Sequence, residues 1–220
     1  MKATVAVLSV ITLISTTISA AQEKPAPQSG AREPGLYAAL ETSKGTIVVK
    51  LFEKEAPLTV ANFVELASGK KPWKESNGRT VTGKPFYDGV IFHRVIANFM
   101  VQSGAHLADG SYRLSTNIPD EIHPRLKFDR AGRVAMANTG KPNSGNTQFF
   151  ITHGPVPQLN GGYTIFGQVV EGQEVVNNMP KVKLLQNEMG EVARPAAAII
   201  LNKVSIERVG EPAAEKEKKE

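Results

Sequence analysis

The chain has 220 residues, a formal charge of +5 and no cysteine. That length suits one sizeable domain with a core deep enough to hold without staples. The absent cysteine removes disulfides, thiolate metal sites, iron–sulfur clusters and cysteine nucleophiles, while Lys and Arg are scattered among acidic residues rather than gathered into a nucleic-acid-binding patch.

Residues 1–21 read as a secretory signal peptide. Met1-Lys2 gives a positive start, Val5 to Ile14 is mostly apolar, and Ser15 to Ala21 is small and polar. Cleavage after Ala20 or Ala21 would make the protein exported, periplasmic or secreted. The apolar run is too short to favour a membrane anchor. No later segment is long and apolar enough to span a bilayer, so no stable membrane association is expected after cleavage. Residues 22–35, rich in Pro, Ala, Gln and Gly, read as a flexible lead-in. A single domain then spans residues 36–209, and residues 210–220 form a charged tail of alternating Glu and Lys.

Within the domain, Tyr37–Thr42 and Thr46–Phe52 flank Ser43-Lys44-Gly45, the pattern of a hairpin. Pro57 opens a helix that runs to Ser68 and stops at Gly69. Val60, Phe63, Val64 and Ala67 make its buried stripe. Residues 68–85 are polar and rich in Gly and Lys, and read as a long surface loop holding Trp73. Trp73 either folds back on the domain or offers a contact point. Strands follow at Val90–Ile96 with Phe99–Gln102, Arg133–Ala137, Thr147–Thr152 and Tyr163–Val170. Gly172–Met179 reads as a second helix with Val175, Val176 and Met179 inward. Val204 and Ile206 alternate with polar residues in a last half-buried strand. Many antiparallel strands and two helices fit a closed, plugged barrel.

Familiar catalytic patterns fail. His93, His106, His123 and His153 lack the spacing of a helical zinc site, so no metal is expected. There is no Ser in a nucleophile elbow, no phosphate-cradling loop and no dinucleotide fingerprint, so no cofactor is expected. What stands out is Phe92-His93-Arg94-Val95-Ile96-Ala97-Asn98-Phe99-Met100-Val101-Gln102, which places one Arg and one Gln in an apolar strand. Strand alternation sends His93 and Arg94 to opposite faces. By itself this also fits an arginine that snorkels to water over a core strand. Met136-Ala137-Asn138 to Asn146-Thr147-Gln148-Phe149-Phe150 adds amides beside aromatics, around a turn of Gly140, Pro142, Asn143 and Gly145.

These two blocks, with Leu159-Asn160-Gly161 to Phe166-Gly167-Gln168-Val169, resemble the signature blocks of the cyclophilin family in order and spacing. Gly45 to Leu51 and Thr59 to Phe63 match as well, so the likeness covers about Leu36 to Val209. The resemblance implies a mainly β fold, a closed eight-stranded antiparallel β-barrel capped by two α-helices. It also implies peptidyl-prolyl cis–trans isomerase activity on proline-containing polypeptides. Carried over by position, Arg94 is the catalytic donor, and Phe99, Met100, Phe150 and Leu159 line the proline pocket. Gln102 bonds substrate backbone and helps position Arg94; Ala137 and Asn138 touch the extended substrate chain. His93 and Gln148 fall at further site positions, and Tyr163, where many members have His, stays a pocket residue. Gln158 stands where many eukaryotic members have a Trp that helps bind cyclosporin, so tight inhibition is not expected. The turn from Asn138 to Gln148 is one residue longer than usual, near Lys141. Two functions stay open at this stage: an isomerase that assists folding of exported proteins, and a proline-peptide binding module with little catalysis. The absence of a coiled-coil heptad points to a monomer.

Overall fold

The computed structural model describes residues 32–210. The signal peptide, the lead-in up to residue 31 and the tail from residue 211 lie outside the described residues.

The opening hairpin forms as its sequence requires. β1 (Gly35–Thr42) pairs with β2 (Gly45–Leu51) in unbroken antiparallel register, Thr42 opposite Gly45. Gly45 has φ +130°, a left-handed setting that a side chain disfavours. α1 (Pro57–Ala67) follows with proline in its first turn. Val60, Phe63 and Ala67 are buried and Val64 packs half-buried against the core; Thr59, Asn62 and Leu66 are buried too. Ala56 supplies no side-chain cap. The orphan amides at this end are met from far along the chain: Leu58 and Thr59 donate their backbone N–H to the Glu121 carboxylate at 3.0 and 2.8 Å.

Residues 68–85 are not a plain loop. β3 (Trp73–Glu75) pairs with β4 (Thr80–Val81) and with β8 (Arg113–Leu114) in a small three-stranded sheet. Trp73 folds back: its indole N–H donates to the Lys84 carbonyl at 3.0 Å, its ring meets Phe86 edge-on, and the Arg113 guanidinium lies 4.8 Å from the ring centroid. Strands of two and three residues carry too little periodicity to read, and β8 comes from a distant part of the chain.

The main sheet adds β5 (Val90–Ile91), β6 (Arg94–Ile96), β7 (Met100–Ser103), β9 (Arg133–Met136), β10 (Phe149–Thr152), β11 (Ile165–Glu171) and β14 (Ile200–Val209). Its nine strands pair antiparallel in the order β5-β14-β1-β2-β11-β9-β10-β7-β6. The expected closed eight-stranded barrel is thus corrected to a curled half-barrel sheet with two edges, β5 and β6. Only Phe92 and His93 separate these edges in sequence. β5 pairs only with β14 and β6 only with β7, so no ladder closes the sheet between them. α2 (Gln173–Asn178) is the second, short helix; Val176 and the following Met179 are fully buried, and Val175 is partly so.

The inside of the curl holds the larger core. Phe63, Tyr87, Phe149 and Phe166 meet there, with ring centroids 4.9–5.8 Å apart around Phe63 and Phe149. A hairpin that the sequence does not announce, β12 (Leu184–Gln186) and β13 (Val192–Pro195), lies between α2 and β14. It has no strong alternation, and β13 packs against the edge strand β6. Among the described residues no helix is long and apolar enough to cross a membrane.

Candidate active site

Period-two alternation builds the site on the outer face of the curled sheet. In β10, Phe149 and Ile151 enter the inner core while Phe150 faces out. β9 sends Val134 and Met136 in and Ala135 out, and β7 sends Val101 in and Met100 out. In β6, Val95 is inward and Arg94 and Ile96 are on the other side. The outward residues gather into a second apolar cluster of Met100, Phe128, Ala135, Phe150, Val156 and Ile165.

An open pocket of about 120 Å³ sits on that cluster. Its lining is Arg94, Phe99, Met100, Gln102, Ala137, Asn138, Phe150, Leu159 and Tyr163, nine of the positions singled out from sequence. It suits a small ring better than an extended cofactor. The Phe150 and Tyr163 rings meet edge to face at 5.2 Å, and Phe150 stacks on the fully buried Phe128 at 5.8 Å. Asn138 donates from its amide to the Gly162 carbonyl at 2.9 Å and ties two rim loops together. Gln148 lies in an adjoining depression lined also by Gln102, Ala137, Asn138, Thr139, Ser144 and Asn146. Gly104, at φ +101°, lets β7 approach this region, because a β-carbon there would collide with the Thr147 carbonyl. Gln158 is exposed on the one-turn helix Pro157–Leu159 beside the pocket.

His93 does not line the pocket. Its ring packs against His106 at a centroid distance of 4.3 Å. Burial, and then the neighbouring His106, pull its pKa down to about 3, so it stays neutral at ordinary pH.

Arg94 and Gln102 face each other in the β6–β7 register. Gln102 nevertheless donates from its side-chain amide to Gln148 Oε1 at 2.9 Å. The Arg94 guanidinium donates instead to Glu191: Nε to Oε2 at 2.7 Å and Nη2 to Oε1 at 2.6 Å. Those hydrogen bonds raise the arginine pKa further, and the same pairing pulls the Glu191 carboxyl down to about 2. Sequence reading missed Glu191 and Phe128. Glu191 sits in the polar run Gln186-Asn187-Glu188-Met189-Gly190-Glu191, and Phe128 among charged residues. Neither has a periodic neighbour that marks it.

The arrangement holds a fixed cation at the lip of an aromatic slot. Oriented guanidinium donors can stabilise charge or a lone pair that develops on a bound group. The apolar floor takes a ring, and the amides on one side can hold an extended backbone.

The chain is similar to known proteins over most of its length. The family model described as cyclophilin type peptidyl-prolyl cis-trans isomerase/CLD matches residues 37–208. Peptidyl-prolyl cis-trans isomerase A of Mycobacterium tuberculosis is 42% identical over 171 residues, covering 77% of this chain and 91% of the relative. Peptidyl-prolyl cis-trans isomerase B of Streptomyces anulatus is 42% identical over 144 residues, 64% of this chain and 82% of that one. Among solved structures, a Cryptosporidium parvum cyclophilin type peptidyl-prolyl cis-trans isomerase superposes with a TM-score of 0.60 at 28% identity, covering 80% of this chain and 98% of its own. The same protein in the presence of the dipeptide Ala-Pro gives a TM-score of 0.58 at 27% identity, covering 80% and 99%. By sequence and fold, this chain belongs to the cyclophilin family and is a peptidyl-prolyl cis–trans isomerase.

Proposed function

We propose that the enzyme turns X-Pro bonds in polypeptides folding outside the cytoplasm, with Arg94 as the catalytic residue. Rotation about a peptide bond breaks amide resonance, against a barrier of about 18–20 kcal/mol. No covalent bond is cleaved, so the task needs neither nucleophile nor leaving-group acid. In the twisted amide the proline nitrogen is pyramidal and its lone pair is free to accept a hydrogen bond. A guanidinium held beside the ring donates to that state and far less to the planar one, which lowers the barrier by differential binding. Arg suits this because it stays charged and keeps its N–H groups in a rigid plane.

In this reading Phe99, Met100, Phe150, Leu159 and Tyr163 grip the proline ring. Gln102, Ala137 and Asn138 hold the residues before it, and Gln148 extends that track. The carrying observation is Arg94 lining an aromatic pocket of proline size. The relative crystallised with Ala-Pro supports a proline-containing peptide as the occupant. Turnover of a short X-Pro peptide by protease-coupled isomerisation, or by exchange NMR, tests it. The wild type should be active, and unchanged turnover in Arg94→Ala removes Arg94 from its role.

Export rests on the layout of residues 1–21. N-terminal sequencing of the mature protein, together with cell fractionation, checks it; a mature chain starting at Met1 in the cytoplasm refutes it. The enzyme acts as a monomer in this reading, and sedimentation at micromolar concentration should give one chain's mass.

A further inference from the structure

Arg94 stands where the sheet can least support it. β6 has three residues and is an edge strand, paired with β7 alone. An arginine side chain has many rotamers, and a donor that acts only in the twisted state must be oriented before the reaction. The residue facing it across the ladder, Gln102, commits its amide to Gln148. The support comes from the other side of the edge, where β13 packs against β6 and the turn before β13 brings in Glu191.

The contact is two-pronged. The carboxylate takes the Nε proton and one Nη2 proton, and this bidentate form fixes the plane of the fork as well as its position. No hydrogen bond among the described residues uses Nη1. Arg94 lines the pocket and Glu191 does not. The carboxylate thus holds the guanidinium from outside the pocket lining and leaves Nη1 without a hydrogen bond to the described residues.

Glu191 is itself fixed. Asn187 donates from its side-chain amide to Glu191 Oε2 at 3.0 Å. The Asn187 side-chain oxygen accepts the backbone N–H of Met189 at 3.0 Å and of Glu191 at 2.9 Å. The Asn187 N–H reaches the Glu191 carbonyl at 2.8 Å, and Gly190 turns the chain at φ +79°. A side chain that served only to pair a surface charge would not need this scaffold, and exposed pairs contribute little to stability.

From these contacts we infer that Glu191 is the positioning residue for Arg94: it locks the guanidinium plane toward the proline pocket, and the Asn187–Glu191 turn exists to hold it there. The inference rests on Arg94 being the donor, and the test separates the two.

Glu191→Gln, Glu191→Asp and Asn187→Ala are assayed on an X-Pro peptide for kcat and KM, with melting curves for each. The Arg94 Nε–H resonance, assigned by its loss in Arg94→Lys, reports whether the fork is fixed. Glu191→Gln should lower kcat on the order of tenfold to a hundredfold, the scale of a misplaced catalytic group, with KM nearly unchanged. The Nε–H resonance should shift or broaden. Glu191→Asp, which keeps the charge, should recover part of kcat, and Asn187→Ala should fall between it and wild type. Glu191→Gln made in Arg94→Lys should add no further loss.

Wild-type or faster turnover in Glu191→Gln overturns the inference, because the carboxylate would then be idle or competing with substrate. An equal loss from Glu191→Gln in the Arg94→Lys background also overturns it. Unchanged turnover in Arg94→Lys and Arg94→Ala instead removes Arg94 itself. If Glu191→Gln melts far below wild type, Asn187→Ala decides: an unchanged kcat and an unchanged Nε–H signal there refute the positioning role.

Discussion

Phe149 and Phe150 are neighbours in β10, and they face opposite sides of one sheet. Phe149 enters the inner core beside Phe63 and Tyr87, sealed from solvent. Phe150 lies on Phe128 and Tyr163 under the pocket lined by Arg94. The same residue type, one position apart, supports the fold on one face and the site on the other. Burial alone does not separate them, because both are less than a tenth exposed. What separates them is whether the space beside the ring is filled by protein or kept open for a ligand.

Substitutions on the two faces should therefore fail in different ways. Phe149→Ala opens a sealed cavity and should cost about 3–5 kcal/mol of stability, read by chemical denaturation. Per folded molecule its KM should stay near wild type; a selective loss of substrate binding would break the comparison. Arg94→Ala should lower kcat/KM by about a hundredfold to a thousandfold, the scale of losing one preorganised donor, with little change in melting temperature. Phe150→Ala enlarges a space that already opens to solvent. It should raise KM by roughly tenfold, as losing part of a ring contact weakens binding by ~1.4 kcal/mol, and destabilise less than Phe149→Ala. Equal destabilisation by the two would show that the pocket floor belongs to the core.

Near neutral pH the smallest expected effect concerns His93, which belongs to neither cluster. Its folded pKa lies at about 3, below the ordinary histidine value. Between about pH 6.5 and that value the unfolded chain binds the proton and the folded chain does not. Stability is thus present above the unfolded pKa and declines as pH falls through this window. Burial also lowers the pKa of His106 and His153, so they add to the same trend. His93→Gln should flatten the melting-temperature profile below neutral pH, and an unchanged slope would show that the other histidines carry it.

Much of this was legible from the chain. The hairpin of β1 and β2 and the proline-led helix α1 appear where their local patterns put them, and the apolar runs read as strands at 133–137 and 147–152 form strands at 133–136 and 149–152. Nine of the residues carried over from the family line one pocket. Other features were not legible, the β12–β13 hairpin among them. Trp73 pairs with Val81 of the nearby β4, and β8, far away in sequence, adds the third strand beside Lys74 and Glu75. The sheet stays open between β5 and β6, which depends on how the ends of the curl meet. Gln102 turns to Gln148, and Arg94 is held by Glu191 from a turn 97 residues further on.

The division follows from the range of the forces. Helix starts, hairpin turns and the in–out alternation of strands depend on neighbours within a few residues, so the sequence alone determined the opening hairpin, α1 and the longer strands, while the two- to four-residue strands of β3, β4, β8, β12 and β13 needed partners that only the fold supplies. The motif residues, read with the family, also determined what kind of site they could form. Which partner each polar group takes is decided in space, where a guanidinium or an amide chooses among groups that the fold brings near. Tertiary structure alone put a carboxylate behind Arg94, and it did so because an edge strand left that side open to be covered.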